Sequence, residues 1–221
     1  EIQISDKISA ERNTNGHFID FEDLLKRVAI PLEQLCILIR VDALRCFKQP
    51  RKALLWQAHF YHHKQRYTNA KQELFEVKQK KQHLPELEEH PLEITFEQFE
   101  LLGFPLCDPF SLLAQPLPSS FISADDFPKY THQYIHTFGY LVSIKQTKTN
   151  KGDTMCFGTF LDPSGAFIDT VHFPQITAHY PFYGKGVYRI TGKITEEFSY
   201  FTLEVATLEK LAFAEDVRLS L

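Results

Sequence analysis

From about Tyr134 onward the spacing of apolar residues changes from a helical period to a period of two, and this change restricts the fold more than any other feature. Strand side chains alternate between two faces, whereas helical ones recur every three to four positions. "IHTFGYLVSIKQTKT" predicts a first strand, "DTMCFGTFL" a second and "GAFIDTVHF" a third. "PQITAHYPFY" predicts a short helix or coil, and "GVYRITGKIT" and "SYFTLEVATLEKL" bring the strands to five. Three strands, a helix and two strands within roughly 80 residues is the order of an OB-fold, a small Greek-key barrel. Other five-stranded barrels fit the same spacing.

Upstream, residues 1 to about 66 have helical spacing. In "DFEDLLKRV" Asp20 stands in a capping position, with Phe21, Leu24, Leu25 and Val28 on one face. "IPLEQLCILIRVDALRCF" follows, with Pro31 suited to a first helical turn and a stripe of Leu32, Leu35, Leu38 and Ile39. "PRKALLWQAHFYHHKQRY" predicts a further helix. The polar stretch from residue 67 to about 90 has little periodicity and predicts a linker or mobile loop. "TFEQFELLGF" predicts a short helix stopped by Gly103. "PLCDPFSLLAQPLPSS" carries four prolines in sixteen residues, which favours an extended, irregular path. The expected organisation is an α+β chain: a helical unit over 1–66, a connector over 67–130 and a barrel over 131–221.

Composition narrows the functional classes. No apolar run approaches the ~18 residues of a membrane span. The four cysteines, Cys36, Cys46, Cys107 and Cys156, lie singly, without a C-x-x-C pair, which disfavours a zinc ribbon and suits a reducing cytoplasm. The chain opens without Met or a secretory segment, so we expect a piece of a longer protein. A formal net charge of −4 hides a division. Arg40 to Lys81 holds eleven Lys and Arg against three acids, and Gln82 to Tyr130 one Lys against nine acids. Such a division suits a DNA-attracting face, and equally two ordinary solvated faces.

In an OB-fold the ligand groove is formed by strands 2 and 3 with the loops joining strands 1–2 and 4–5. The first of those loops, "KQTKTNKGD", offers Lys145, Lys148 and Lys151 to phosphates. Along strand 2, Met155, Phe157 and Thr159 alternate with Cys156, Gly158 and Phe160. The small residues suit a crowded interior, which puts Phe157 on the groove face, and Asp169 on strand 3 joins the candidates. An exposed Phe157 would stack a base with ~1–3 kcal/mol; the alternative is an ordinary core phenylalanine. Leu74 and Phe75 form an apolar pair on a polar segment, suited either to a partner's pocket or to a contact with the chain's own helices. His59 and His63 stand at i and i+4, without an accompanying acid, so a metal site is disfavoured. No nucleophile elbow, P-loop or Asp-x-Asp pair is present, so we expect no catalytic residues and no cofactor.

Three motifs together resemble one family. "ISAERNTNGHFIDFEDLLKRVAIPLEQLCILIRVDALRCF" is similar to a segment of the alpha subunit of bacterial DNA polymerase III, with Gly16, Phe18, Phe21, Asp23, Leu38, Ile39, Arg40 and Ala43 on its pattern. "FELLGFPLCDPFSLL" resembles a later element of that family. "GYLVSIKQTKTNKGDTMCFGTFLDPSGAFIDTVHFP" resembles its OB domain, where in the family a Thr-Lys-x-Gly-x-x-Met-x-Phe run precedes a Leu-x-Asp-x-x-Gly turn. The resemblance implies a helix-hairpin-helix unit gripping duplex phosphates, with Lys26, Arg27 and Arg40 as its candidates, and an OB-fold near single-stranded template. It also implies a sliding-clamp peptide at "KQELF", carried by Leu74 and Phe75. The family's catalytic aspartates lie upstream and are absent here, so this chain is not expected to polymerise DNA.

There are four departures from the family. Asp42 replaces the hairpin glycine, where a carboxylate repels phosphate and tolerates a left-handed backbone poorly. Lys71 replaces the clamp motif's Gln, and Cys107-Asp108 replace Gly-His. An additional residue between Gly165 and Phe173 predicts a bulge in strand 3. These departures suit a divergent or error-prone relative. Two readings result: a non-catalytic DNA-binding part of a replication or repair polymerase, or a protein-interaction module whose barrel holds another subunit. A nuclease is disfavoured, since no carboxylate cluster suits two metals.

Overall fold

The structure, a computed structural model, describes residues 2–68, 90–118, 120–216 and 218. The chain divides into two compact units, Glu1–Gly103 with Val217–Leu221, and Phe104–Asp216. No helix among the described residues is long and apolar enough to cross a membrane.

The first unit holds α1 (Ile2–Asn15), α2 (Phe21–Arg27), α3 (Leu32–Arg40), α4 (Arg51–Thr68) and α5 (Pro91–Leu102). Asp20 caps α2 as expected: the Asp23 N–H donates to its carboxylate at 2.8 Å, and the Ile19 N–H donates back to Asp23 at 3.0 Å. Phe21, Leu24, Leu25 and Val28 enter the core beside Leu35, Ile39, Leu54 and Ala58. Pro31 stands one position earlier than expected, as the extended N-cap of α3.

The stretch after α3 does not continue as helix. Ala43 N–H donates to the Leu38 carbonyl at 2.9 Å and Asp42 N–H to that of Ile39 at 3.0 Å. This pair of bonds is a Schellman ending, which requires a left-handed residue between the two turns. Asp42 supplies it with φ +63°. A 3₁₀ turn at Arg45–Phe47 then leads to α4. The single tryptophan, Trp56, is half-exposed on α4.

Within the stretch expected as connector, α5 packs on α3 through paired charges. Glu97 accepts from Arg40 Nε at 2.9 Å and also from the buried Arg51, while Gln98 donates to the Val41 carbonyl at 3.3 Å. Gly103 ends α5 in a left-handed conformation, φ +79°, as expected from its type.

In the second unit the proline-rich stretch runs irregularly through 3₁₀ turns at Pro109–Leu112 and Ala124–Tyr130. It returns alongside the end of the unit, where Leu113 bridges Phe213. The five expected strands are β1 (Tyr134–Lys148), β2 (Thr154–Leu161), β3 (Phe167–His172), β4 (Val187–Glu197) and β5 (Tyr200–Lys210), with α6 (Pro174–His179) between β3 and β4. They close in the order β1-β2-β3-β5-β4, with β3 and β5 parallel and the other pairs antiparallel. Phe160, Ile168, Tyr188, Ile190, Ile194, Leu203 and Val205 fill the interior.

The bulge expected in strand 3 is absent: β2 and β3 pair without interruption from Cys156↔His172 to Leu161↔Phe167. Shifts occur instead at Leu141/Ser143 and at Thr191/Gly192. At the second shift the backbones of β4 and β5 approach so closely that a Cβ on Gly192 would overlap the Glu204 carbonyl, so the irregularity belongs where only glycine fits.

Candidate nucleic-acid interface

The faces of β2 follow from volume. A Cβ on Gly158 would lie 2.8 Å from the Thr170 hydroxyl and 2.9 Å from the Phe160 ring. Gly158, with buried Cys156 and Phe160, therefore lines the crowded interior, and Met155, Phe157 and Thr159 face outward. Phe157 is 40% exposed. Cross-strand partners share a face, so Asp169 and Val171, opposite Thr159 and Phe157, continue this surface across β3.

A trough of about 530 Å³ opens on that face, lined by Met155, Phe157, Asp169, Phe173, Tyr200 and Glu204 among others. A second depression of about 520 Å³ shares Phe173 and Glu204 with it and extends to Tyr134. Phe157, Phe173, Tyr200 and Tyr134 are all substantially exposed. Thr159 donates to one oxygen of Asp169 at 2.8 Å, and the Tyr200 hydroxyl donates to the other. Those bonds fix the Tyr200 ring beside the trough, and the bond to Asp169 raises the phenol's pKa. Phe198 and Ser199, both left-handed at φ +52° and +65°, form the tight turn that brings Tyr200 there.

The three candidate lysines divide. Lys145 stands opposite Phe157 on the trough face. Lys148, opposite Thr154, lies an odd number of residues away and so belongs to the other face of the ribbon. Lys151 sits in the β1–β2 turn, which is closed by Thr149 N–H to Asp153 O at 2.9 Å. On the far side of the trough Lys193 stands opposite Glu204 on the outer face of β4. The lining itself carries the carboxylates of Asp169, Glu197 and Glu204. The residues lining the trough thus carry acids, while Lys145 and Lys193 stand beside it.

Tyr200, Phe173 and Lys193 were not singled out from the sequence. The groove-forming role of the strand 4–5 loop is the one local signal near Tyr200, but the partner that orients it is thirty-one positions away in sequence.

In the helical unit the candidate cations are already engaged. Arg27 bonds Glu11 and Asp23 at 3.0 Å each, donates to the carbonyls of Glu11 and Gly16, and stacks 4.5 Å over Phe18. It thereby ties α1 to α2, which accounts for the Gly16 and Phe18 step. Arg40 bonds Glu97 and Glu100, and Lys26 makes an exposed pair with Glu22 at 2.8 Å. The exposed cations next to the hairpin are Arg45 and Lys48.

Asp108, at the departure from Gly-His, accepts the Phe110 N–H at 3.0 Å and so starts a 3₁₀ turn. His59 Nε2 lies 3.7 Å from Cys36 Sγ. No cluster of three or more metal-ligating side chains exists among the described residues. Lys71, Leu74 and Phe75 lie outside the described residues.

A family model described as a helix-hairpin-helix motif matches residues 2–54. Solved structures with similarity include PriB from Ralstonia solanacearum, at 10% identity over 35% of this chain and 95% of that chain, TM-score 0.29. The second OB-fold domain of replication protein A from Methanococcus maripaludis has 11% identity over 39% and 91%, TM-score 0.29. Replication protein A of U. maydis bound to ssDNA has 12% identity over 48% and 85%, TM-score 0.30. No curated protein sequence matches the chain. The chain combines a helix-hairpin-helix motif with a closed five-stranded barrel of OB type.

Proposed function

We propose that this chain is a non-catalytic, single-stranded-DNA-holding part of a DNA polymerase related to the bacterial polymerase III alpha subunit, acting in replication or repair synthesis in the cytoplasm. The observation that carries the reading is the exposed Phe157 ring on one face with Lys145, across a trough from Phe173 and Tyr200. Aromatic planes hold bases and the cations beside the trough hold the sugar-phosphate chain, a pairing that suits strands of any sequence. Met155, Thr159 and Asp169 shape the trough, with Asp169 positioning Tyr200. The helix-hairpin-helix match over residues 2–54 supports a second contact, to duplex phosphates, with Arg45 and Lys48 as its cations. The family's sliding-clamp contact, through Leu74 and Phe75, belongs to the same proposal. So does the domain organisation, a DNA-gripping helical unit followed by an OB-fold.

Titration of a labelled oligonucleotide at low salt tests this function. Phe157→Ala and Tyr200→Ala should each weaken binding by about 5- to 150-fold, the range for loss of one stacked base. Lys145→Glu should reduce the salt slope by about 0.7 for each phosphate that is no longer neutralised. Binding that ignores all three variants would refute the trough as the site. The acidic lining favours one second reading, a barrel that holds a basic segment of another replication protein. In that case oligonucleotide binding is lacking and Glu204→Lys abolishes subunit capture.

A further inference from the structure

Building on the trough as a single-strand site, we propose that it selects strands whose bases carry an exocyclic amine, guanine foremost, with Glu204 as the group that reads it. Every charged side chain lining the trough is a carboxylate, so phosphates are repelled from the lining and belong beside it, with Lys145 and Lys193. The bases of an unpaired strand then point inward, with their Watson–Crick edges open to the protein.

The three carboxylates are not equivalent. Both oxygens of Asp169 are engaged, by Thr159 and by Tyr200. Glu197 stands at the exposed end of β4 beside the turn. Glu204 is half-buried, lines both depressions at their junction beside Phe173, and makes no side-chain hydrogen bond or ion pair among the described residues. It is an unspent acceptor in the middle of the path.

A carboxylate accepts hydrogen bonds and donates none. The edge of guanine presents two adjacent N–H donors that match its two oxygens, and cytosine and adenine each present one amine. Thymine presents a single N–H between two carbonyl oxygens, which the carboxylate repels. No cluster suited to a metal ion exists among the described residues, so these acids are not competing for a cation site.

The test uses the whole chain and four labelled oligonucleotides of equal length: all-thymine, all-cytosine, alternating guanine and thymine, and the last with hypoxanthine for guanine, which lacks the amine. The expected order is guanine-containing tightest, cytosine next and thymine weakest, with about 5- to 150-fold between the extremes, the range for one good base contact. Hypoxanthine should move the third oligonucleotide toward thymine. Glu204→Gln, which keeps the shape and removes the charge, should bring the four affinities together.

Equal or tighter binding of thymine by the unaltered protein, or a preference that survives in Glu204→Gln, would overturn the selectivity while leaving the trough as a binding site. Absence of binding by every oligonucleotide at low salt would overturn the underlying reading as well.

Discussion

Asp162 is 1% exposed, at the turn between β2 and β3. Burial alone would raise its pKa. Hydrogen bonds from Ser164, Ala124, Ala166 and Ser123, all between 2.6 and 2.9 Å, outweigh that and hold it below the ordinary carboxylate value. This is the aspartate of the Asp-Pro-Ser-Gly turn, and its job here is to fasten that turn to the segment entering the barrel. Asp162→Ala strands several donors and should lower unfolding free energy by about 3 kcal/mol in a urea titration, with Asp162→Asn costing less.

His172 makes the opposite kind of burial. Thr170 donates its hydroxyl to the Gly158 carbonyl at 2.8 Å and so accepts from His172 Nε2 at 2.9 Å, which leaves Nδ1 buried and unprotonated, without a hydrogen-bond partner among the described residues. Burial lowers its pKa from 6.5 to about 4. The unfolded chain takes up this proton at a higher pH than the folded one, so stability is complete above about pH 6.5 and is lost as pH falls toward 4. That loss should reach roughly 3 kcal/mol at pH 4, and His172→Leu should remove it from the acid limb of a stability–pH curve.

Among elements, the α3–α4 hairpin separates what local pattern can reveal from what it leaves hidden. The helices were legible because cap residues and apolar spacing act over a few positions: Asp20 and Gly103 behave as their types dictate. Asp42 was read as a residue that resists the left-handed form, yet the Schellman bonds from Asp42 and Ala43 hold it there. Asp42→Gly should therefore raise stability by about 0.5 kcal/mol, strain relief being partly offset by the freer unfolded chain. It should also tighten duplex binding in a low-salt titration, because a carboxylate leaves the hairpin.

The β2 face was legible from the small residues Cys156 and Gly158, whose crowding the interior confirms. The lysine cluster was not. Three positive charges close in sequence become one on the trough face, one on the opposite face and one in a turn, once the register of β1 and β2 is set. Similarly, the ion pairs of Arg40 with Glu97 and Glu100 span 57 and 60 positions, beyond any local motif.

For the molecule as a whole, two compact units with separate cores predict two unfolding events. Glu97→Ala removes the carboxylate that bonds both Arg40 and the buried Arg51 and should cost the helical unit about 1–3 kcal/mol. In calorimetry it should lower one transition only, while Asp162→Ala lowers the other. A single transition displaced equally by both variants would mean that the units unfold together.

The position of Trp56 makes these events separable by light. The only indole in the chain is half-exposed on α4, whereas seven of the nine tyrosines lie at or beyond residue 130. Indole-selective excitation therefore watches the helices alone, and phenol emission is weighted toward the barrel. A quencher or an oligonucleotide that dims one signal and spares the other reveals, without any added label, which half of the molecule it has met.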